Sequence, residues 1–194
     1  IGFFGYSYYH NNQDTLRALP LDGVSPDIGT VESGQYEMSR PLFVYSTQEI
    51  IDAKRSVAAF LNFYLNNVGN VIQDVGYFPN GAEAQQSAVE TWERATGLTA
   101  ATVENLYPAA GDIDVTGSST VAPLTRRMAD EFQQAGGYTG NITVNSIGTE
   151  AGFKAFCVEG AADIVDASIA IPDVYNAACI SRALSPVAFQ VGID

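Results

Sequence analysis

Residues 112–125 read DIDVTGSSTVAPLT, the pattern of a short strand that runs straight into a helix. Ile113 and Val115 are apolar strand formers, and small polar residues follow until a helical pattern begins. Gly117 permits a tight turn, Ser and Thr side chains cap a helix start, and Pro123 suits a first helical turn. Free N–H groups and the helix dipole make this junction a candidate anion site, and ordinary helix capping is the alternative.

The alternation of strand and helix continues to the end of the chain. Strands are predicted over residues 113–115, 142–145, 164–166 and 187–191, and helices over residues 121–135, 152–159 and 174–181. Short strands separated by helices predict an α/β three-layer sandwich, with a mostly parallel sheet and helices on both faces. Ligands of such sheets bind at the carboxyl ends of the strands, so the loops there are the candidate site.

The first half has a less regular pattern. Aromatic and apolar runs predict strands over residues 2–9 and 41–45. Apolar residues at helical spacing predict a long helix over residues 50–65, preceded by capping residues, and a second helix over residues 82–95. Residues 98–111 are predicted to form a connector with a short helical piece.

Two further loops repeat the small polar composition of the first loop. Residues 147–154 (IGTEAGFK) follow the second strand of the alternating half, and residues 166–170 (DASIA) follow the third. Because the carboxyl ends of parallel strands lie at the same edge of a sheet, we expect these loops to converge. Together they describe a cup of hydroxyls and backbone amides that suits a tetrahedral oxyanion.

Composition excludes some classes of partner. The chain has 194 residues, with 22 acidic and 9 basic side chains and a net charge of −13. Nucleic acid and anionic membrane surfaces would be repelled, so neither is an expected partner. No apolar run approaches the roughly 20 residues of a membrane span, and the first residues lack the pattern of a signal peptide. We expect a soluble domain that begins inside a longer polypeptide.

Few residues suit catalysis or metal binding. His10 is the only histidine and lies in a polar stretch typical of a surface loop, so a histidine general base is not expected. Asp163 and Asp166 are expected to be strand-end charges that face water. Cys157 and Cys179 are too few for a structural zinc site and form either a disulfide or two buried thiols. The sequence predicts no catalytic residues, no metal and no cofactor.

The second half also carries motifs of a known family. They are residues 112–125, then Gly148-Thr149, Gly152-Phe153-Lys154, Phe156-Cys157, Asp163-Ile164, Ala167-Ser168 and Val187-Ala188-Phe189. These motifs resemble the amino-terminal part of periplasmic phosphate-binding proteins of ABC transporters. Residues 1–97 resemble the carboxyl-terminal part of the same family, through residues 1–9, 31–34, 39–43 and 76–77.

The order of the two parts is reversed relative to the family. The resemblance therefore implies that residues 1–194 form a single lobe of a type II periplasmic binding protein in circularly permuted order. This order would arise either by designed permutation or by excision from a tandem duplication in which the end of one copy runs into the start of the next. Residues 98–111 would connect the two parts, and the second lobe would be absent. Because both crossings to that lobe leave from one place in the family, we expect Ile1 and Asp194 to lie close together at one edge of the sheet.

The resemblance also implies which residues contact the ligand. Ser119, Thr120 and Val121 would supply contacts at the helix start, Thr149 a hydroxyl and an amide, and Ser168 a contact from the third loop. It further implies a disulfide between two cysteines that occupy paired positions in some members, Cys157 and Cys179.

Five positions in the second and third loops depart from the family pattern. Glu150 and Ala151 replace residues that are commonly glycine, and Ile169-Ala170 replace a frequent Arg-Pro pair. Ser168 stands where one branch of the family has an aspartate that accepts the phosphate proton. A carboxylate at Glu150 that pointed inward would repel a bound anion.

The function implied by the resemblance is non-catalytic binding of phosphate or a similar oxyanion, related to ABC-transporter phosphate uptake. Its partners would be the anion and a transporter permease, and its location periplasmic or extracellular. Binding would be weak, since one lobe supplies only its share of the donors. The alternative is a permuted or dissected scaffold, or an interaction module, without useful affinity. Monomer and homodimer are both compatible with the sequence.

Overall fold

The computed structural model describes Gly2 and residues 4–194, and its centre is a five-stranded sheet. The strands are β1 (Pro41–Thr47), β3 (Ile113–Gly117), β5 (Ile142–Ser146), β6 (Ile164–Ala167) and β7 (Pro186–Ile193), in the order β5-β3-β6-β1-β7. β3 is parallel to β5 and to β6, whereas β1 is antiparallel to β6 and to β7. Four strands therefore point one way, which confirms the predicted mostly parallel sheet. A second sheet pairs β2 (Ala109–Ala110) with β4 (Tyr138–Thr139).

Helices cover both faces of the main sheet, as expected for a three-layer sandwich. One face packs against α4 (Arg55–Val75), α5 (Ala82–Thr96) and α6 (Ala122–Ala135) around a large apolar core that includes Phe60, Trp92 and Phe132. The other face packs against α7 (Thr149–Phe153), a π-helical segment (Lys154–Glu159) and α8 (Asp173–Ser181) around a smaller cluster. None of the helices among the described residues is long and apolar enough to cross a membrane.

The long helix predicted over residues 50–65 is two helices in the structure. α3 (Gln48–Ala53) begins at Thr47, whose hydroxyl accepts a hydrogen bond from the N–H of Ile50. Lys54 then takes an extended conformation with φ −114° and ψ 95°, and α4 follows. Both helices share one apolar periodicity, so the sequence pattern did not show the break.

The strand predicted over residues 2–9 is wrong where the structure describes it, because α1 (Tyr6–His10) is a helix. The carboxylate of Asp194 accepts the N–H of Tyr6, the first helical residue, at 2.7 Å. At the other end, the side-chain amides of Asn11 and Asn12 donate to the carbonyls of Ser7 and Tyr8. These end contacts stabilise a helical turn where aromatic residues favour a strand.

A loop joins α1 to β1, and the connector predicted over residues 98–111 follows α5. The loop contains a short helix, α2 (Ile28–Glu32), which Asp27 and Thr30 cap reciprocally. The connector contains a 3₁₀ helix (Val103–Leu106) and β2. Ile1 lies outside the described residues, so its proximity to Asp194 stays a prediction. Tyr6 contacts Asp194 beside the edge strand β7.

Candidate functional site

The three loops singled out in the sequence lie at one edge of the sheet. They follow β5, β3 and β6, which are neighbours in that order and parallel to one another. Backbone hydrogen bonds join them: the N–H of Ser118 donates to the carbonyl of Asp166 at 2.8 Å, and the N–H groups of Ile147 and Gly148 donate to the carbonyl of Gly117 at 3.0 and 2.8 Å. The predicted convergence of the loops is therefore confirmed.

The first loop turns sharply into α6. Gly117 has φ +134°, and a Cβ there would collide with the carbonyl oxygen of Asp166, so only glycine fits. The buried hydroxyl of Ser118 accepts the N–H of Thr120 at 3.2 Å. Among the described residues, no atom accepts the N–H of Ser119 or of Val121. These two donors at the start of a 14-residue helix are available to an anion.

The second and third loops meet through their hydroxyl groups. Thr149 Oγ1 lies 3.5 Å from Ser168 Oγ, so a single ligand oxygen can reach both. Ser168 is buried, whereas Glu150, in the first turn of α7, is exposed. The structure thus brings Thr149 and Ser168 together, and it places Ser119, Thr120 and Val121 on the adjoining loop.

The sequence analysis missed Arg40 as a site residue. β1 is antiparallel to its neighbours, so it begins at the edge where β6 and β7 end, and Arg40 is the residue before it. Its guanidinium Nη2 donates to Thr120 Oγ1 at 3.1 Å. Tyr77, two residues beyond the end of α4, donates its hydroxyl to the carbonyl of Thr120 at 2.6 Å. Both residues lie in the motifs at residues 39–43 and 76–77, but those motifs gave neither residue a role in the site, because each reaches the first loop across the fold.

The expectation that Asp166 faces water is wrong. Asp166 is 1% exposed, Thr125 Oγ1 donates to its Oδ1 at 2.8 Å, and the hydroxyl of Tyr64 lies 3.2 Å from Thr125 Oγ1. No described atom contacts Oδ2. Burial raises the pKa of Asp166 to about 7, against the opposing effects of the Thr125 hydrogen bond and the Arg126 charge. A carboxyl group that protonates near neutral pH therefore lies directly below the first loop.

Asp163 is also buried, at the opposite end of β6. Lys54 Nζ lies 2.7 and 2.8 Å from its two carboxylate oxygens, and the N–H of Asp114 donates to Oδ2 at 2.9 Å. The expectation that this carboxylate faces water is wrong as well, because an ammonium and a backbone amide compensate its burial. Asp163 is consequently a structural residue and takes no part in the loop cluster.

The two cysteines form a disulfide, as the resemblance implied. Cys157 in the π-helical segment is bonded to Cys179 in α8, and both are fully buried in the smaller apolar cluster. His10, the last residue of α1, has the side-chain amide of Gln13 at 3.3 Å from its ring. No group of three or more histidine, cysteine or acidic side chains suitable for a metal ion occurs among the residues described.

The sequence is similar to part of several known proteins. Protein SphX of Synechococcus elongatus is 38% identical over 96 residues, which is 46% of this chain and 28% of that protein. Phosphate-binding protein PstS of Staphylococcus epidermidis is 28% identical over 95 residues, 46% of this chain and 29% of that protein. The chain therefore matches less than a third of the length of these relatives. No family model matches the sequence.

The fold itself has a solved counterpart. The phosphate-binding protein of a phosphate ABC transporter from Streptococcus pneumoniae superposes with a TM-score of 0.66 and 21% identity, covering 97% of this chain and 67% of that protein. At this identity the match concerns the fold alone. The chain has the α/β fold of a periplasmic binding protein, and its sequence is similar to part of a phosphate-binding protein.

Proposed function

We propose that this chain is a non-catalytic oxyanion-binding lobe that takes inorganic phosphate or a similar tetrahedral anion. The observation that carries this proposal is the joining of three polar loops at one sheet edge, where Thr149 and Ser168 lie 3.5 Å apart. Ser119, Thr120 and Val121 complete the ligand set at the start of α6. The names of the relatives support phosphate as the ligand class.

Local dipoles let an acidic protein hold an anion. The net charge of −13 repels anions at long range, but this repulsion is screened beyond roughly 10 Å at moderate salt. Within the cup, the free N–H groups of Ser119 and Val121 and the hydroxyls of Thr149 and Ser168 donate hydrogen bonds directly. The anion is therefore bound by short-range donors that act against the overall field.

The sheet order supports the proposed permuted organisation. The antiparallel β1 lies between β6 and β7, so it returns along the sheet from the edge that carries the loops. We propose that residues 1–97 correspond to the carboxyl-terminal part of a phosphate-binding protein and residues 112–194 to its amino-terminal part. In such a protein the ligand is enclosed between two lobes. Alone, these 194 residues leave the anion open to water.

Affinity follows from the number of donors. Each charge-assisted hydrogen bond contributes roughly 1.5–3 kcal/mol, so three missing donors lower affinity by roughly a thousandfold or more. We therefore propose a dissociation constant for phosphate of about millimolar or weaker. The natural setting would be a periplasmic or extracellular space, with a transporter permease as partner. The Cys157–Cys179 bond fits an oxidising compartment of this kind.

A phosphate titration followed by amide NMR shifts tests the proposal. We expect saturable shifts at Ser119, Thr120 and Thr149, with arsenate and sulfate as comparison anions. Thr149→Val should weaken binding, whereas Thr102→Val, on the exposed connector, should leave it unchanged. Absence of saturable shifts at these positions would favour the alternative of a scaffold or interaction module, and sedimentation would then show whether the chain self-associates.

A further inference from the structure

Arg40 lies at the same sheet edge as the three loops, although it belongs to a different part of the chain. Its backbone N–H donates to the carbonyl of Asp194 at 2.8 Å, and the N–H of Asp194 donates back to the carbonyl of Arg40 at 3.0 Å. This pair fixes the start of β1 against the end of β7. The backbone of Arg40 is therefore held in place, and only its side chain remains to be positioned.

The guanidinium divides its hydrogen bonds between two groups. Nη2 donates to Asp194 Oδ2 at 2.9 Å and to Thr120 Oγ1 at 3.1 Å, and Nε lies 3.3 Å from Asp194 Oδ2. Nη1 donates to no atom among the described residues. The side chain of Arg40 is 43% exposed, whereas that of Asp194 is 4% exposed. One end of the guanidinium is thus paired, and the other has unused donors beside the first loop.

Other cations near the loops already have partners. Lys154 lies 3.1 Å from Glu159, and Arg126 donates to the carbonyl of Val144 at 3.1 Å. Within the described part of the chain, Arg40 is the one basic side chain that hydrogen-bonds a proposed ligand residue. Nη1 has two free N–H groups, and a guanidinium that releases Asp194 offers Nη2 as well, which gives the planar two-nitrogen fork that suits a tetrahedral oxyanion.

We propose that Arg40 is the cationic ligand of the oxyanion site, and that a bound anion competes with Asp194 for its guanidinium. This inference rests on the proposed function and names the source of positive charge at that site. The competing carboxylate also accepts the N–H of Tyr6 at 2.7 Å, which anchors α1. Anion binding and the anchoring of α1 are consequently linked through Asp194, whose carboxylate accepts from both Arg40 and Tyr6.

A double-mutant cycle on the 194-residue chain tests this competition, with inorganic phosphate as the probe. Arg40→Gln should weaken phosphate binding about tenfold or more, and Arg40→Lys should restore only part of it, because an ammonium lacks the planar fork. Asp194→Asn should strengthen binding in the parent chain and have a much smaller effect when Arg40 is Gln. Arg94→Gln removes the same charge from the exposed face of α5 and should leave affinity unchanged.

The parent chain offers a readout that needs no variant. The Arg40 Nε–H signal should move during the phosphate titration and saturate with the shifts at Thr120. Equal affinity of the parent and Arg40→Gln, a stationary Arg40 signal, or an equal effect of Asp194→Asn in both backgrounds would overturn the inference while leaving the proposed function intact. Absence of phosphate binding by the parent chain would overturn both.

Discussion

A methyl group on Gly152 would come within 2.6 Å of the Cα of Gly117. α7 therefore packs directly against the backbone at the end of β3, where the first loop begins, with no side chain between them. This contact sets the distance between the first and second loops of the site. It also explains why a helix carries a glycine at this position despite the conformational cost.

Gly152→Ala should push α7 away from the first loop. We expect the free energy of unfolding to fall by about 1–3 kcal/mol, because backbone atoms cannot yield as a flexible side chain would. The amide signals of Thr149 and Ser168 should shift in the unliganded protein. Gly69→Ala is the matched control, since a Cβ at this exposed position of α4 meets nothing within 4 Å. It should raise stability by about 0.5–1 kcal/mol, and equal effects of the two substitutions would contradict the packing argument.

The buried carboxyl of Asp166 makes stability depend on pH. Its pKa is raised from 3.8 to about 7 in the folded protein, so the folded state binds the extra proton between these values. The protonated carboxyl therefore contributes fully to the unfolding free energy below pH 3.8, and this contribution is lost as the pH rises through about 7. The unfolding free energy changes by up to roughly 1.4 kcal/mol per pH unit in this range. Urea unfolding of the parent chain and of Asp166→Asn at several pH values measures this dependence.

Asp166→Asn removes the titrating proton and keeps a group of similar size that can accept from Thr125. We expect the unfolding free energy of the variant minus that of the parent to increase steadily from pH 4 to pH 7. Asp52→Asn, on the exposed face of α3, controls for loss of one charge. A constant difference between Asp166→Asn and the parent would mean that the carboxyl is already ionised in the acid range.

The disulfide should resist reduction while the protein is folded. Cys157 and Cys179 are fully buried, so reductant reaches the bond only after unfolding. The bond closes a loop of 22 residues, and removing it by Cys→Ala at both positions should lower stability by about 3 kcal/mol. Intact mass after alkylation, with and without denaturant, checks accessibility. Two alkylated thiols in non-reduced, denatured protein would contradict both the bond and an oxidising compartment.

Glu150 should oppose anion binding through its charge. It is exposed in the first turn of α7, next to the proposed ligand Thr149. Glu150→Gln should strengthen phosphate binding by up to about fivefold at low salt, and the gain should shrink as salt screens the carboxylate. Glu83→Gln changes the same charge in the first turn of α5 and serves as control. A gain that does not vary with salt would point to a steric cause.

Local sequence pattern was sufficient for the alternating half of the fold. From residue 113 onward, the strands and helices of the structure begin and end within a few residues of their predicted bounds, because each apolar run is short and ends at a turn former. The convergence of the three loops followed from this alternation, since parallel strands end at one edge. The tight turn at Gly117 was also predicted correctly, because the residues that define this turn are neighbours in sequence.

Contacts between distant residues were not predictable in this way. Tyr6 is helical because Asp194, 188 positions away, accepts its N–H. Asp166 is buried because Tyr64 and Thr125 approach it from two different helices. Arg40 reaches Thr120 only after β1 has been inserted between β6 and β7. In each case the residue that makes the contact lies on another element of the fold, and hydrophobic periodicity contains no information about it.

The antiparallel pairing of β1 with β7 has a mechanical consequence. β1 begins at Pro41, opposite Ile193 near the end of β7, so the chain enters one strand and leaves the other at the same corner of the sheet. A tensile load applied at that corner pulls across the hydrogen bonds and opens them one pair after another, from Pro41 towards Thr47. The two strands are therefore peeled apart and not sheared past each other. This corner separates at a lower force than a strand pair that is pulled parallel to its strands.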